Sequence, residues 1–392
     1  MRCPDCNALV TPDLHGCPAC RRPLRPAFAA TSSVVEKYRR QIAESRDRWS
    51  RAGPLETEAE PASAASDGAA LDVDTPGVLN LLLLHAGYSP LSRLGVRGGR
   101  PGSTNGASLR LSSDPAVFRV KTLPLSGGAS WLEPPLVTPE ADFFFSIDEA
   151  VSGEIEVALE SQGRTLDRVR RPVSVHSANQ WLLRPGCEAA LAGMVTPNAA
   201  AVEEILRDLD EDLAGYQSAS PERVGRQVAA VDEAVRALDL RYLGAAPSFA
   251  GDGQRVLFPE QAVSARRGSC VDHAVLTASL LERVGVHPLI LLLRDDDRGW
   301  GHAISGVWTA DIRARSPVLR DRQVIDRALG DGDLLVWDAT PAPSAGRSGF
   351  SAALDAGRRL LRHFEFAIDV RASRDHGFQP LPTTPGLRRR VS

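Results

Sequence analysis

The chain has little lysine, no long apolar run and no excess of charge of one sign. Its longest apolar stretch, Val78–Leu84, is broken by Asn80 and is far shorter than the ~20 residues a membrane span needs. Met1-Arg2-Cys3-Pro4 lacks the apolar core of a secretion signal, so a cytoplasmic setting is expected. A formal charge of −3 gives no general attraction to nucleic acid or to membranes. Lys37 and Lys121 are the only lysines among 46 basic residues, which we read as genomic bias rather than function. No Gly-rich phosphate loop ending in Lys-Ser/Thr is present, so nucleotide hydrolysis has no obvious seat.

The 43% apolar content is enough for packed cores, and 392 residues favour two or three modules. Four of the six cysteines form Cys3-Pro4-Asp5-Cys6 and Cys17-Pro18-Ala19-Cys20, with ten residues between the pairs. Two such knuckles supply four thiolates for a tetrahedral Zn2+. Two disulfides or an iron centre are the alternatives, and disulfides do not suit a reducing compartment. We therefore expect a structural zinc ribbon over residues 1–25, with Cys3, Cys6, Cys17 and Cys20 as ligands. So small a module would draw its folding energy from the metal. Arg21, Arg22 and Arg25 read as a solvated flank.

Residues 26–51 read as one amphipathic helix, with Phe28, Val35, Ile42 and Trp49 recurring every seven positions. That stripe suits a short coiled coil, a partner protein or packing on the chain's own body. Residues 52–76 are rich in Ala, Ser, Glu, Asp, Pro and Gly and are expected to be a flexible linker. From 77 to 183, short β-type runs alternate with turn residues: Leu79–Leu84, Ser108–Leu111, Val117–Val120, Phe143–Ile147, Glu154–Leu159 and Val173–His176. An antiparallel β-sandwich, immunoglobulin-like in outline, is expected. His176 reads as structural, and a scaffold or partner-binding role is the default for this region.

Helical patterns then take over. Asn198 is placed to cap a helix through about Leu213, and Ser220-Pro221-Glu222 starts a second lined by Val224, Val228, Val231, Val235 and Leu238. The stretch Arg267-Gly268-Ser269-Cys270-Val271-Asp272-His273 leads into an apolar, helix-periodic run that Gly285 ends. Cys270 thus falls on the first helical turn, where free N–H groups and the helix dipole favour a thiolate. Pro288–Leu293 reads as a buried strand, His302 sits at the start of another, and Asp338 closes a third. An insertion over 309–332 precedes Asp338. A helix at Ser351–Arg362, a strand at Phe364–Val370 and a basic tail over 383–392 follow.

A helix-borne Cys, a His at a strand start and an Asp at a strand end resemble the transglutaminase-like (papain-like) cysteine hydrolase superfamily. The resemblance spans residues 184–382 and extends to Tyr242, Pro247-Ser248-Phe249, Gly253-Gln254, Pro259 and Asp369-Val370-Arg371 … Gln379-Pro380-Leu381-Pro382. These are similar to modules found in large bacterial proteins, some attached to helicases. It implies an α+β domain with Cys270 as nucleophile, His302 as acid/base and Asp338 as orienter of the imidazole. Gln254 is the candidate side-chain donor to the oxyanion, beside backbone N–H groups at the helix start. His273 competes as base and Asp272 as orienter, while Cys270, His273 and His302 as zinc ligands form a further alternative. Superfamily members hydrolyse peptides or amides, transfer acyl groups to amines in crosslinking, or have lost activity. The resemblance implies a protein or peptide substrate, cleavage of a peptide or isopeptide-type amide, and no cofactor for catalysis. Alternatives are acyl transfer and a catalytically silent protein-interaction module. The zinc ribbon is not a usual part of this superfamily, and the ribbon or the 28–51 helix could dock a partner.

Overall fold

The computed structural model describes residues 69–98, 106–125, 131–209, 213, 220–244, 253–295, 300–312, 314–340 and 349–382. The expected zinc ribbon, the 26–51 helix and the basic tail lie outside the described residues. Those described fall into two compact units, one holding residues 69–187 with 253–254 and the other 188–244 with 255–382. No helix among them is long and apolar enough to cross a membrane.

The N-terminal unit contains Ala69–Asp74 (β1), Val78–Leu79 (β2), Leu81–His85 (α1), Arg93–Gly98 (β3), Ser108–Asp114 (β4), Lys121–Pro124 (β5), Trp131–Leu132 (β6), Ala141–Ser146 (α2), Val151–Ser161 (β7), Arg164–Val175 (β8) and Gln180–Leu182 (β9). One sheet has the order β2-β8-β7-β4-β5, with only the β2–β8 pair parallel; a second has the antiparallel order β1-β3-β6. The β7–β8 hairpin turns at Gln162 and Gly163, whose φ values of 49° and 75° suit the two-residue turn that matches strand twist. Inward Ile155, Val157 and Leu159 are buried, while Glu154 and Glu156 face Arg168 and Arg170 in ion pairs. These exposed pairs are each worth about 0–1 kcal/mol, so the sheet rests on its apolar face.

Five local expectations need correction. Val117–Val120 is not a strand and holds only an isolated bridge from Phe118 to Pro139. Asn198 does not cap the next helix, which starts after Ala199 and runs Ala200–Arg207, because its side-chain oxygen accepts from Arg283 at 2.9 Å. The region expected to be linker over 52–76 includes β1, because Leu71 and Val73 alternate into the core and pair with β3. Leu81–Leu84 is helical because the Asn80 side chain accepts the Leu83 N–H at 3.3 Å and starts a turn. Phe143–Ile147 is likewise not a strand; Ala141–Ser146 is a short helix that seats Phe144 in the core.

The C-terminal unit contains Ala200–Arg207 (α3), Pro221–Ala237 (α4), Arg241–Tyr242 (β10), Pro259–Ala265 (α5), Arg267–Gly268 (β12), Cys270–Arg283 (α6), His287–Asp295 (β13), Trp300–Trp308 (β14), Val318–Leu319 (β15), Arg322–Gly330 (α7), Leu334–Trp337 (β16), Phe350–Leu360 (α8), Phe364–Asp369 (β17) and Val370–Asp375 (α9); Gly253–Arg255 is β11. Its main sheet is antiparallel throughout, in the order β15-β17-β13-β14-β16. Leu276, Leu280 and Leu281 of α6 share a core with Val228 and Val231 of α4, Val307 of β14 and Trp337 of β16. A second core joins Leu289, Leu291 and Leu293 of β13 to Ile304 and to Ile325 of α7. Being covered on both sides, β13 is one continuous apolar run rather than an alternating one. The 309–332 insertion adds β15 and α7 to this frame.

Candidate active site

The site begins with the capping of α6. Ser269 is the N-cap; its hydroxyl accepts the Asp272 N–H at 3.4 Å, and Asp272 Oδ2 accepts the Ser269 N–H at 2.7 Å. This reciprocal capping box satisfies two donors that a helix start leaves open. The other oxygen, Asp272 Oδ1, accepts the Leu257 N–H at 2.7 Å. A Cβ at Gly268 would sit 3.0 Å from the Asp272 Cβ, a tight contact against the capping box. At the far end Gly285 takes φ 82°, with Gly285 N–H on Glu282 O and Val286 N–H on Leu281 O, a Schellman stop. Every residue from Cys270 to Leu281 is buried, as suits a helix surrounded by protein. Arg374 ties the helix end down through Glu282, at 2.8 and 2.9 Å, and through the carbonyls of Ala192 and Val195.

Cys270 is therefore the first residue of a rigid helix, 8% exposed and with a free thiol. His302 enters from β14 and Asp338 follows the last residue of β16; His302 Nε2 and Asp338 Oδ2 are 3.3 Å apart. Burial pulls the imidazole toward its neutral form, but hydrogen bonds to Asp338 and Cys270 outweigh it and raise His302 to about 10. His302 is thus an imidazolium at neutral pH. Burial pushes the Asp338 carboxyl up, yet the His302 contact and charge bring it below its usual value, helped by the Thr340 N–H at 3.0 Å. The structure brings Cys270, His302 and Asp338 together within one unit.

The competing residues have other work. His273 Nδ1 meets the Ser269 carbonyl at 2.8 Å, and burial drives its imidazole toward the neutral form. Both oxygens of Asp272 are spent on backbone N–H groups, so it is a cap rather than an orienter. Among the described residues, no group of three or more His, Cys, Asp or Glu is arranged to hold a metal ion. Gln254 lies in β11, and residues 253–254 group with the N-terminal unit.

Three further groups border the triad. Arg236 Nη2 reaches the Asp338 carbonyl at 3.5 Å, and its Nε is held at 2.6 Å by Asp232, one turn earlier on α4. Burial pushes the Asp232 carboxyl up against the pull of Arg236. Tyr242 of β10 is the third, its hydroxyl hydrogen-bonded to the Cys270 side chain. The i, i+4 spacing of Asp232 and Arg236 was a sequence signal for their pair, but nothing local linked that pair to Asp338.

No curated protein matches the chain. Residues 194–311 match a family model described as "Transglutaminase-like domain". The match takes in Tyr242, Cys270 and His302, ends before Asp338, and fits a cysteine hydrolase or transglutaminase-type activity. Residues 194–311 thus form a stretch similar to the transglutaminase-like family.

Proposed function

We propose that the chain is a cysteine hydrolase that cleaves a peptide or isopeptide-type amide by way of an acyl-enzyme on Cys270. The observation that carries this reading is the charged His302, bonded on one side to Asp338 and on the other to the Cys270 sulfur at a helix start. With Nε2 turned to Asp338, Nδ1 is left for proton exchange at the sulfur and the leaving group. In the first half-reaction the sulfur bonds to the carbonyl carbon while the thiol proton resides on His302. The C–N bond then breaks as His302 protonates the departing amine. In the second half, His302 takes a proton from water as the water oxygen bonds to the carbonyl carbon, the C–S bond breaks with its electron pair returning to the Cys270 sulfur, and the carboxylic acid leaves. A primary amine in place of water makes the same site an acyltransferase, so the acceptor decides between hydrolysis and crosslinking.

The test is incubation of the full chain with a peptide library containing Gln and Asn side-chain amides and Lys isopeptides, with and without an added primary amine. New products from the wild-type chain, absent with Cys270→Ala, are expected. Identical products from both proteins would contradict the reading.

We infer further that Cys3, Cys6, Cys17 and Cys20 hold one structural zinc, a donor set whose four soft thiolates fit that ion. The metal would fold the ribbon and offer a surface for a partner protein. One zinc per full chain and none in a chain beginning at residue 61 is the expected elemental analysis; equal zinc in both would overturn it.

A further inference from the structure

We propose that Tyr242 is a further catalytic residue, donating its hydroxyl to the Cys270 sulfur at rest and to the substrate oxygen that becomes negative when the sulfur attacks. The inference rests on the cysteine-hydrolase reading above and assigns a side-chain oxyanion donor within the same unit as the triad.

The placement comes from backbone pairing. β10 and β12 form a two-residue parallel ladder with Tyr242 opposite Gly268, two residues before Cys270. Arg241 N–H on Arg266 O at 2.9 Å and Leu243 N–H on Gly268 O at 3.0 Å fix the register from both sides. A slip of one residue would turn the tyrosine away from the helix start. Tyr242 is 37% exposed, so it does not fill the core as a packing tyrosine would. Its hydroxyl nevertheless meets the nucleophile, with the Asp338 charge in range. Burial, then the charge and hydrogen bond of Cys270, raise the phenol above its ordinary 10, so it remains a donor at neutral pH.

As the S–C bond forms, the carbonyl π electrons move to oxygen. The Tyr242 O–H can turn from the sulfur, which has lost its negative charge, to the oxygen, which has gained it. The tyrosine keeps its proton throughout, and the proton delivered to the leaving amine comes from His302. A donor that follows the charge binds the transition state better than the ground state.

The test compares two reagents on the full chain and on Tyr242→Phe. p-Nitrophenyl acetate acylates sulfur through a tetrahedral oxyanion, whereas iodoacetamide alkylates it by direct displacement with no oxyanion. The ratio of Cys270 acylation rate to Cys270 alkylation rate should fall about 100-fold or more in Tyr242→Phe. An unchanged ratio would overturn the inference, whether both rates hold or both fall together as a structural defect would make them. A wild-type Cys270 inert to both reagents would instead overturn the cysteine-hydrolase reading, and this inference with it.

Discussion

His176 in the N-terminal unit and His302 in the C-terminal unit are both withdrawn from water, yet they titrate at opposite ends of the range. Burial, with the positive Arg184 nearby, pushes His176 down to about 4. Burial acts in the same direction on His302, but Asp338 and Cys270 reverse it and hold the ring at about 10. The partner, not the depth, decides the charge. The N-terminal unit therefore hides a neutral ring within a β framework, whereas the C-terminal unit keeps an imidazolium beside the Cys270 sulfur.

The largest way to break this contrast is to remove the partner. Asp338→Asn should leave the site assembled but favour the wrong ring tautomer, lowering acylation of Cys270 by about 10⁴-fold. Without the carboxylate, burial wins, and the alkaline limb of the acylation rate should move down from about 10 toward or below the ordinary 6.5. A pH–rate profile of Cys270 acylation reads both effects, and a full rate with an unmoved limb would remove Asp338 from the mechanism.

A second effect lies in stability against pH. The His176 pKa is depressed, so between 6.5 and about 4 the unfolded chain binds a proton that the native chain refuses, and the N-terminal unit loses stability as pH falls. The His302 pKa is raised, so its contribution is complete below 6.5 and disappears as pH rises through about 10. Hydrogen exchange followed unit by unit should show acid loosening the strands around His176 and alkali loosening the β14–β16 region. His176→Gln should flatten the acid response of the first unit alone. A common response in both units would contradict the contrast.

The smallest effect separates the two aspartates. Asp272→Ala removes a cap and the partner of the Leu257 N–H, and should cost about 1–3 kcal/mol of stability. Its effect on Cys270 acylation should be far smaller than that of Asp338→Asn. Thermal or denaturant unfolding of the two variants, set beside their acylation rates, checks this. Loss of acylation in Asp272→Ala with an unchanged Asp338→Asn would reverse the two roles.

Local signals made much of this architecture legible. Helix periodicity ending at a Gly marks α6, and Ser220-Pro221 marks the start of α4. The alternation of Ile155, Val157 and Leu159 marks β7. Sequence and structure part where an apolar run is short, since Leu81–Leu84 and Phe143–Phe145 fit either period and only capping and packing decide. In β1, Leu71 and Val73 were too few to outweigh an acidic, Ala-rich neighbourhood. At the site, Ser269-x-x-Asp272 spells a capping box, a signal that competes in the sequence with an orienting role for the same aspartate. Tyr242 and Arg236 could not be assigned to the site by spacing, because a strand ladder and a helix crossing bring them there from outside α6.

The central claim is that His302 makes Cys270 a nucleophile, and its most direct test is the iodoacetamide alkylation rate of Cys270 near neutral pH with and without that imidazole. Cys187 is fully buried and would lag for lack of access alone, so dependence on His302 carries more weight than the ratio of the two cysteines. The account predicts fast alkylation of wild-type Cys270, a marked slowing in His302→Ala and little change in His273→Ala. Equal rates in the wild type and His302→Ala, or a slowing confined to His273→Ala, would contradict it.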